Sequence, residues 1–183
     1  MLRWFIRRKI AAFEKQNGYD MSYARDMLDV DLAGFLKFAR ISALGEHRRD
    51  VPIDAFHATK LAGTLAEDCG PCTQLQVTMA ERDGVPPEVL RAVLAGDVAA
   101  MPAHVALAFE FARASLAHDL AADELRDKII ARWGKRAVMS LAFGLAAARM
   151  FPTLKYALGH GRACARVTVA GAVAPLALLG RAI

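Results

Sequence analysis

Apolar residues recur along this chain every three or four positions, the spacing of helices rather than strands. Leu2 to Gln16 predicts an amphipathic helix, with Trp4, Phe5 and Phe13 set among Arg3, Arg7, Arg8 and Lys9, and Asn17-Gly18 breaks it. Asp20 or Ser22 is expected to cap a short helix towards Leu28. Leu32, Phe35, Leu36, Ala39 and Leu44 predict the next one, closed by Gly45, and Glu46 to Pro52 reads as a charged connector. Ile53, Phe56, Lys60, Leu61 and Leu65 define a helix ending near Glu67. Another runs from Cys69 to about Arg82, where Asp83-Gly84 stops it with Gly84 as a left-handed C-cap.

Pro86-Pro87-Glu88 opens a helix through Val89, Leu90, Val93 and Leu94 to Gly96, and Pro102 opens a long one through Leu107, Phe111 and Leu116. Asp123 and Glu124 begin a further helix with Ile129, Ile130 and Trp133 on its apolar side. Lys135 to Met150 is apolar enough around its circumference to predict a central or interface helix. Phe151-Pro152-Thr153 is expected to break it before Leu154 to Leu158. Only Ala165 to Ala170 alternates as a strand does, and it is too short to found a sheet. No repeat, low-complexity linker or domain boundary interrupts this order. The expected fold is therefore a single all-α, multi-helix domain over 1–183. Its N-terminal helices occupy 1–50, its core 51–160 and an apolar tail 161–183.

A chain of 183 residues can bury a sizeable core, and its 55% hydrophobic content, rich in Ala and Leu, favours helix. The net charge of +5 is spread rather than gathered with aromatics into a groove, which argues against a nucleic-acid partner. The basic start, Met1 to Lys9, is followed by an apolar run of only Ile10 to Phe13, too short for a secretory signal. Val167 to Gly180 is uncharged, but it is shorter than the roughly 20 residues of a membrane span and Pro175 interrupts it. It is expected to pack on the core or on a neighbouring subunit, so no integral membrane span is expected. Leu2 to Gln16 is expected to dock on its own protein, with peripheral membrane contact as the alternative.

The chemistry concentrates at Cys69-Gly70-Pro71-Cys72. Two thiols three residues apart at the start of a helix share a face and can close a disulfide. The unpaired N–H groups and dipole of the first turn favour a thiolate there. Pro71 fits, because a first-turn residue does not need its N–H. Glu67 and Asp68 just before the pair are read as dipole-compensating or capping residues, and their charge opposes thiolate formation; Glu67 is also a candidate proton acceptor. Three cysteines with one CxxC point to a reducing compartment, so a cytoplasmic location is expected.

The order around this pair is an apolar helix (Asp54 to Glu67), Cys-x-x-Cys, a helix ending Ala80-Glu81-Arg82-Asp83-Gly84-Val85, and a Pro86-Pro87-Glu88-Val89 opening. From Asp54 to Gly96 this resembles the alkylhydroperoxidase D-like branch of the carboxymuconolactone decarboxylase-like superfamily. The resemblance implies an oligomeric helical bundle, with the apolar 137–148 segment and the C-terminal tail as candidate homo-oligomer contacts. It implies Cys72 as the thiol that reacts with peroxide and Cys69 as the resolving thiol. The family's relay glutamate falls at His57 and its relay histidine at Gln76, so both positions differ. His57 can act as a base near neutral pH and is expected to take the Cys72 proton directly or through water. Gln76 can only hydrogen-bond. The implied activity is thiol-dependent reduction of a small hydroperoxide, with an external dithiol as reductant and no cofactor beyond the Cys69–Cys72 disulfide.

Two alternatives keep the scaffold and change the chemistry. One is a non-redox decarboxylase-like enzyme with His57 as acid–base. The other is a helical assembly whose dithiol only senses redox state. A third joins Cys69 and Cys72 to His160 and Cys164 as a structural zinc set. His104 reads as a partly exposed polar residue, His118 as a histidine at a helix C-terminus, His47 as part of the charged connector, and Lys155 and Arg162 as surface charges.

Overall fold

The helical periods fold as helices. A computed structural model describes residues 1–161 and 166–177, and among these nine α-helices account for most of the chain. In order they are α1 (Leu2–Asn17), α2 (Ser22–Val30), α3 (Leu32–Glu46), α4 (Ile53–Ala66), α5 (Gly70–Arg82) and α6 (Pro87–Ala95). After a 3-10 turn at Val98–Ala100 come α7 (Ala103–Ala117), α8 (Ala121–Trp133) and α9 (Lys135–Ala157). An antiparallel pair, β1 (Thr168–Val169) and β2 (Ala172–Val173), follows with Thr168 opposite Val173. Arg162 and Cys164 lie outside the described residues, as does the end of the apolar tail.

The central helix is α4, not α9. Every residue from Ala55 to Leu65 is buried, and α4 packs on α5, α6, α7 and α9. Its polar residues disguise this in the sequence. Two threonines are satisfied by backbone: Thr59 Oγ1 donates to the carbonyls of Ala55 (3.1 Å) and Ala108 (3.3 Å), and Thr64 Oγ1 to that of Leu61 (3.1 Å). A buried hydroxyl so paired carries little penalty.

Three apolar clusters surround this helix. Leu61, Leu65, Val77, Leu90, Val93 and Phe109 join α4 through α7, together with Val167, Val169 and Ala174 from the tail. Phe56, Phe111, Ile129 and Leu141 unite α4, α7, α8 and α9. Ile10, Tyr19, Tyr23, Leu28, Phe35 and Phe38 bind the first three helices, with Leu75 and Phe151 packed against them. The inner side of α1 contributes Ile6, Ile10 and Phe13 to that third cluster, while Leu2, Trp4 and Phe5 remain exposed.

Local rules place most boundaries. Gly84 takes a φ of 83°, which suits glycine, and the N–H of Val85 reaches back to the Ala80 carbonyl to close α5. Gly45 was expected to close its helix, and α3 ends one residue beyond it at Glu46, with Gly45 buried in the last turn. A Cβ there would lie 3.0 Å from the Ala147 Cβ, so the glycine permits close approach of α3 and α9. The expected break at Pro152 does not occur; α9 runs through it to Ala157. Tertiary contacts hold those last turns, with the Phe151 ring 5.7 Å from that of Phe38 and the Lys155 ammonium 4.8 Å from the Tyr19 ring.

By length and composition α9 is apolar enough to cross a membrane. Here the 137–148 segment turns Ala137, Ser140, Leu141, Gly144, Leu145, Ala147 and Ala148 into the chain's own core.

Gly63 sets the distance between α4 and α9. A Cβ at this position would meet the Ala148 Cβ at 3.0 Å and the Leu145 carbonyl oxygen at 3.3 Å. Backbone cannot yield as a side chain does, so Gly63→Val is expected to cost about 1–3 kcal/mol through overpacking. Urea denaturation checks this, and an unchanged midpoint would contradict so close a crossing.

Candidate dithiol site

Cys69 is the N-cap residue of α5, and its carbonyl accepts the first helical bond from the Thr73 N–H at 2.9 Å. Gly70 and Pro71 form the first turn, which brings Cys72 back over Cys69 with a Cα–Cα distance of 5.3 Å. The two sulfurs form a disulfide. Both residues are buried. Of the two, Cys72 lines a cavity of about 400 Å³ enclosed mainly by α1, α3, α4, α5 and α9, with Tyr19, Met21 and Tyr23 around the start of α2.

Tyr19, between α1 and α2, faces that sulfur, and Tyr23 of α2 lies beside Tyr19. The Tyr19 hydroxyl lies 3.8 Å from Cys72 Sγ and shares a hydrogen bond with Tyr23. Burial pushes the Tyr19 phenol up to about 12 and raises that of Tyr23 as well. Both therefore keep their protons at neutral pH, and Tyr19 is a hydrogen-bond donor positioned for a thiolate. The Lys155 ammonium lies 4.8 Å from the Tyr19 ring and 5.6 Å from that of Tyr23. Read from the sequence as a surface charge, Lys155 is in fact buried, and burial lowers its pKa.

Gln76 follows Cys72 by one turn of α5 and lines the same cavity. His57, from α4, lies behind it rather than against the sulfur. Asp83 Oδ2 sits 2.8 Å from His57 Nε2, and Gln76 Nε2 sits 2.6 Å from His57 Nδ1. A carboxylate only accepts, so Nε2 carries the proton; the neutral ring then presents Nδ1 to the Gln76 amide. Burial drives the His57 pKa down to about 4, although the hydrogen bond to Asp83 opposes it. These bonds engage both His57 ring nitrogens, and of the two relay positions it is Gln76, an amide, that reaches the cavity. Gln76, His57 and Asp83 form a hydrogen-bonded row whose first member lines the cavity beside Cys72.

The Glu67 carboxylate is held by α9. The residue ends α4, and its carboxylate accepts from Arg149 Nε at 2.6 Å and Thr153 Oγ1 at 3.4 Å, both on α9. The zinc set does not assemble among the described residues. His160 spends Nδ1 on Ser22 Oγ (3.3 Å) and Nε2 on Asp26 (3.1 Å), and Cys164 is not described. His104 pairs with Asp54 at 2.7 Å, and His118 takes a left-handed φ of 55° beyond α7.

Sequence reasoning passed over Tyr19, Tyr23 and Asp83. The tyrosines lie some fifty residues from the thiols and carry no spacing signal. Asp83 was visible only as a helix stop. Comparison with family models, curated proteins and solved structures finds no match to this chain.

Proposed function

We propose that this chain is a thiol-dependent oxidoreductase of the alkylhydroperoxidase D-like kind, which reduces hydroperoxides through Cys72 and Cys69. One observation carries the reading: of the two bonded sulfurs, Cys72 opens onto the cavity, beside a protonated phenol that can stabilise its anion. In the reduced protein the Cys72 thiolate attacks the distal oxygen of the hydroperoxide. The O–O bond breaks, the alcohol leaves after taking a proton, and Cys72 becomes a sulfenic acid. The Cys69 thiol displaces water from it to form the disulfide. An external dithiol then exchanges with that disulfide, supplying two electrons and two protons.

The α5 N-terminus and the Tyr19 hydroxyl favour the anion. Gln76, fixed by His57 and Asp83, adds an amide at the cavity wall. Assembly into homo-oligomers belongs to the same proposal, with the exposed Met139 and Met150 as the apolar remainder of α9 available for it.

The test is sustained consumption of cumene hydroperoxide with dithiothreitol as the reductant. The enzyme reading expects many equivalents of peroxide consumed per chain. A single equivalent, with no further turnover, would leave a redox sensor in its place.

A further inference from the structure

Lys60 has a position that this thiol chemistry does not use. Its side chain is buried at 7% exposure on α4. Among the described residues its ammonium makes no hydrogen bond or ion pair, and its aromatic contact is the Phe56 ring at 5.4 Å. Burial lowers its pKa, against the more distant carboxylates of Glu46 and Asp83. A buried cation without a counter-ion is costly, and an anion brought to it would relieve that cost.

The surroundings narrow the choice of anion. Lys60 lines the same cavity as Cys72, whose remaining wall is largely apolar: Ile10, Phe13, Phe35, Phe38 and Phe151. Lys9 and Glu46 also line it, are exposed and carry opposite charges, so Lys60 supplies the net charge. One cation in an apolar chamber suits one anionic group on an apolar body. At about 400 Å³ the chamber lies within the roughly 300–1,000 Å³ of small-molecule sites.

We infer that this cavity binds an apolar monocarboxylic acid, its carboxylate on the Lys60 ammonium and its hydrocarbon against Phe13, Phe35, Phe38 and Phe151. The inference rests on the redox reading only in one respect: if Cys72 turns over, its substrates are hydroperoxides borne on such acids, their O–O bond supplying the oxidising equivalents. Binding itself is measured without turnover.

Isothermal titration of the oxidised wild-type protein with decanoate, decan-1-ol and decyltrimethylammonium, each below its micellar concentration, tests it. Decanoate is expected to bind about tenfold or more tightly than decanol, and the cationic ligand weakest. Lys60→Met should remove the preference for decanoate while keeping decanol binding. Equal affinity of wild type for decanoate and decanol, no binding of either, or unchanged decanoate affinity in Lys60→Met would overturn it. Should that variant not fold, the wild-type comparison decides alone. A protein that prefers decanoate but does not consume peroxide retires the redox reading and keeps this one; turnover without that preference does the reverse.

Discussion

Replacing Cys72 by Ser is expected to abolish peroxide consumption, whereas replacing Cys69 by Ser should stop the cycle one step later. The asymmetry follows from the cavity. Cys72 borders it, beside the Tyr19 hydroxyl, while Cys69 caps α5 beneath. In Cys69→Ser the first equivalent of hydroperoxide still reaches a thiol, and a sulfenic acid accumulates because no partner condenses with it. In Cys72→Ser the remaining Cys69 thiol lies away from the cavity, so oxidation should fall by orders of magnitude. Mass spectrometry of each variant after one equivalent of cumene hydroperoxide reads the difference as an added oxygen on Cys72 or its absence. Equal oxidation of the two variants would reverse or dissolve the assignment of roles.

The second large effect is on stability. His57 binds its proton with a pKa near 4 in the folded chain, against about 6.5 when unfolded, because burial disfavours the imidazolium. Between those values the unfolded state holds more protons. Stability therefore rises with pH through this window, is fully present above about 6.5 and is lost as pH falls towards 4. The difference of about 2.5 pH units corresponds to about 3 kcal/mol. Urea unfolding at pH 7 and pH 4.5 should show most of this loss in the wild type. His57→Gln, which cannot titrate, should show a correspondingly shallower dependence on pH. Identical slopes would mean that His57 is not buried as a neutral ring. Because Gln76 takes its orientation from that ring, the same variant is expected to slow oxidation of Cys72 without changing which sulfur is attacked.

Much of the fold was legible because its helices obey local rules. Gly84 and Gly96 stop helices at positive φ, and Pro86-Pro87 and Pro102 open them. What was not legible depends on neighbours that a linear pattern does not name. Pro152 stays inside α9 because Phe151 and Lys155 find partners on α3 and next to α2. Gly45 marks the end of α3 in the sequence, but its closeness to Ala147 of α9 is a second reason for glycine that the linear pattern does not show. In the site, the pairing of Cys69 with Cys72 was readable from their spacing, and the resemblance already named His57 and Gln76 as the two relay positions; the Asp83 carboxylate on the far side of His57 gave no such signal. Lys60 did give a signal: it follows Phe56 by four residues on the apolar face of α4, where a solvent-facing lysine has no place.

The sulfur pair and its enclosure come from different stretches of chain. The thiols sit on a short helix fixed to the buried centre, while residues 6 to 46 provide much of the screen in front of Cys72. Substitutions along that earlier stretch can redraw which molecules gain admission and leave the sulfur geometry as it is. Selectivity and reactivity are thereby free to diverge independently, one helix hairpin at a time.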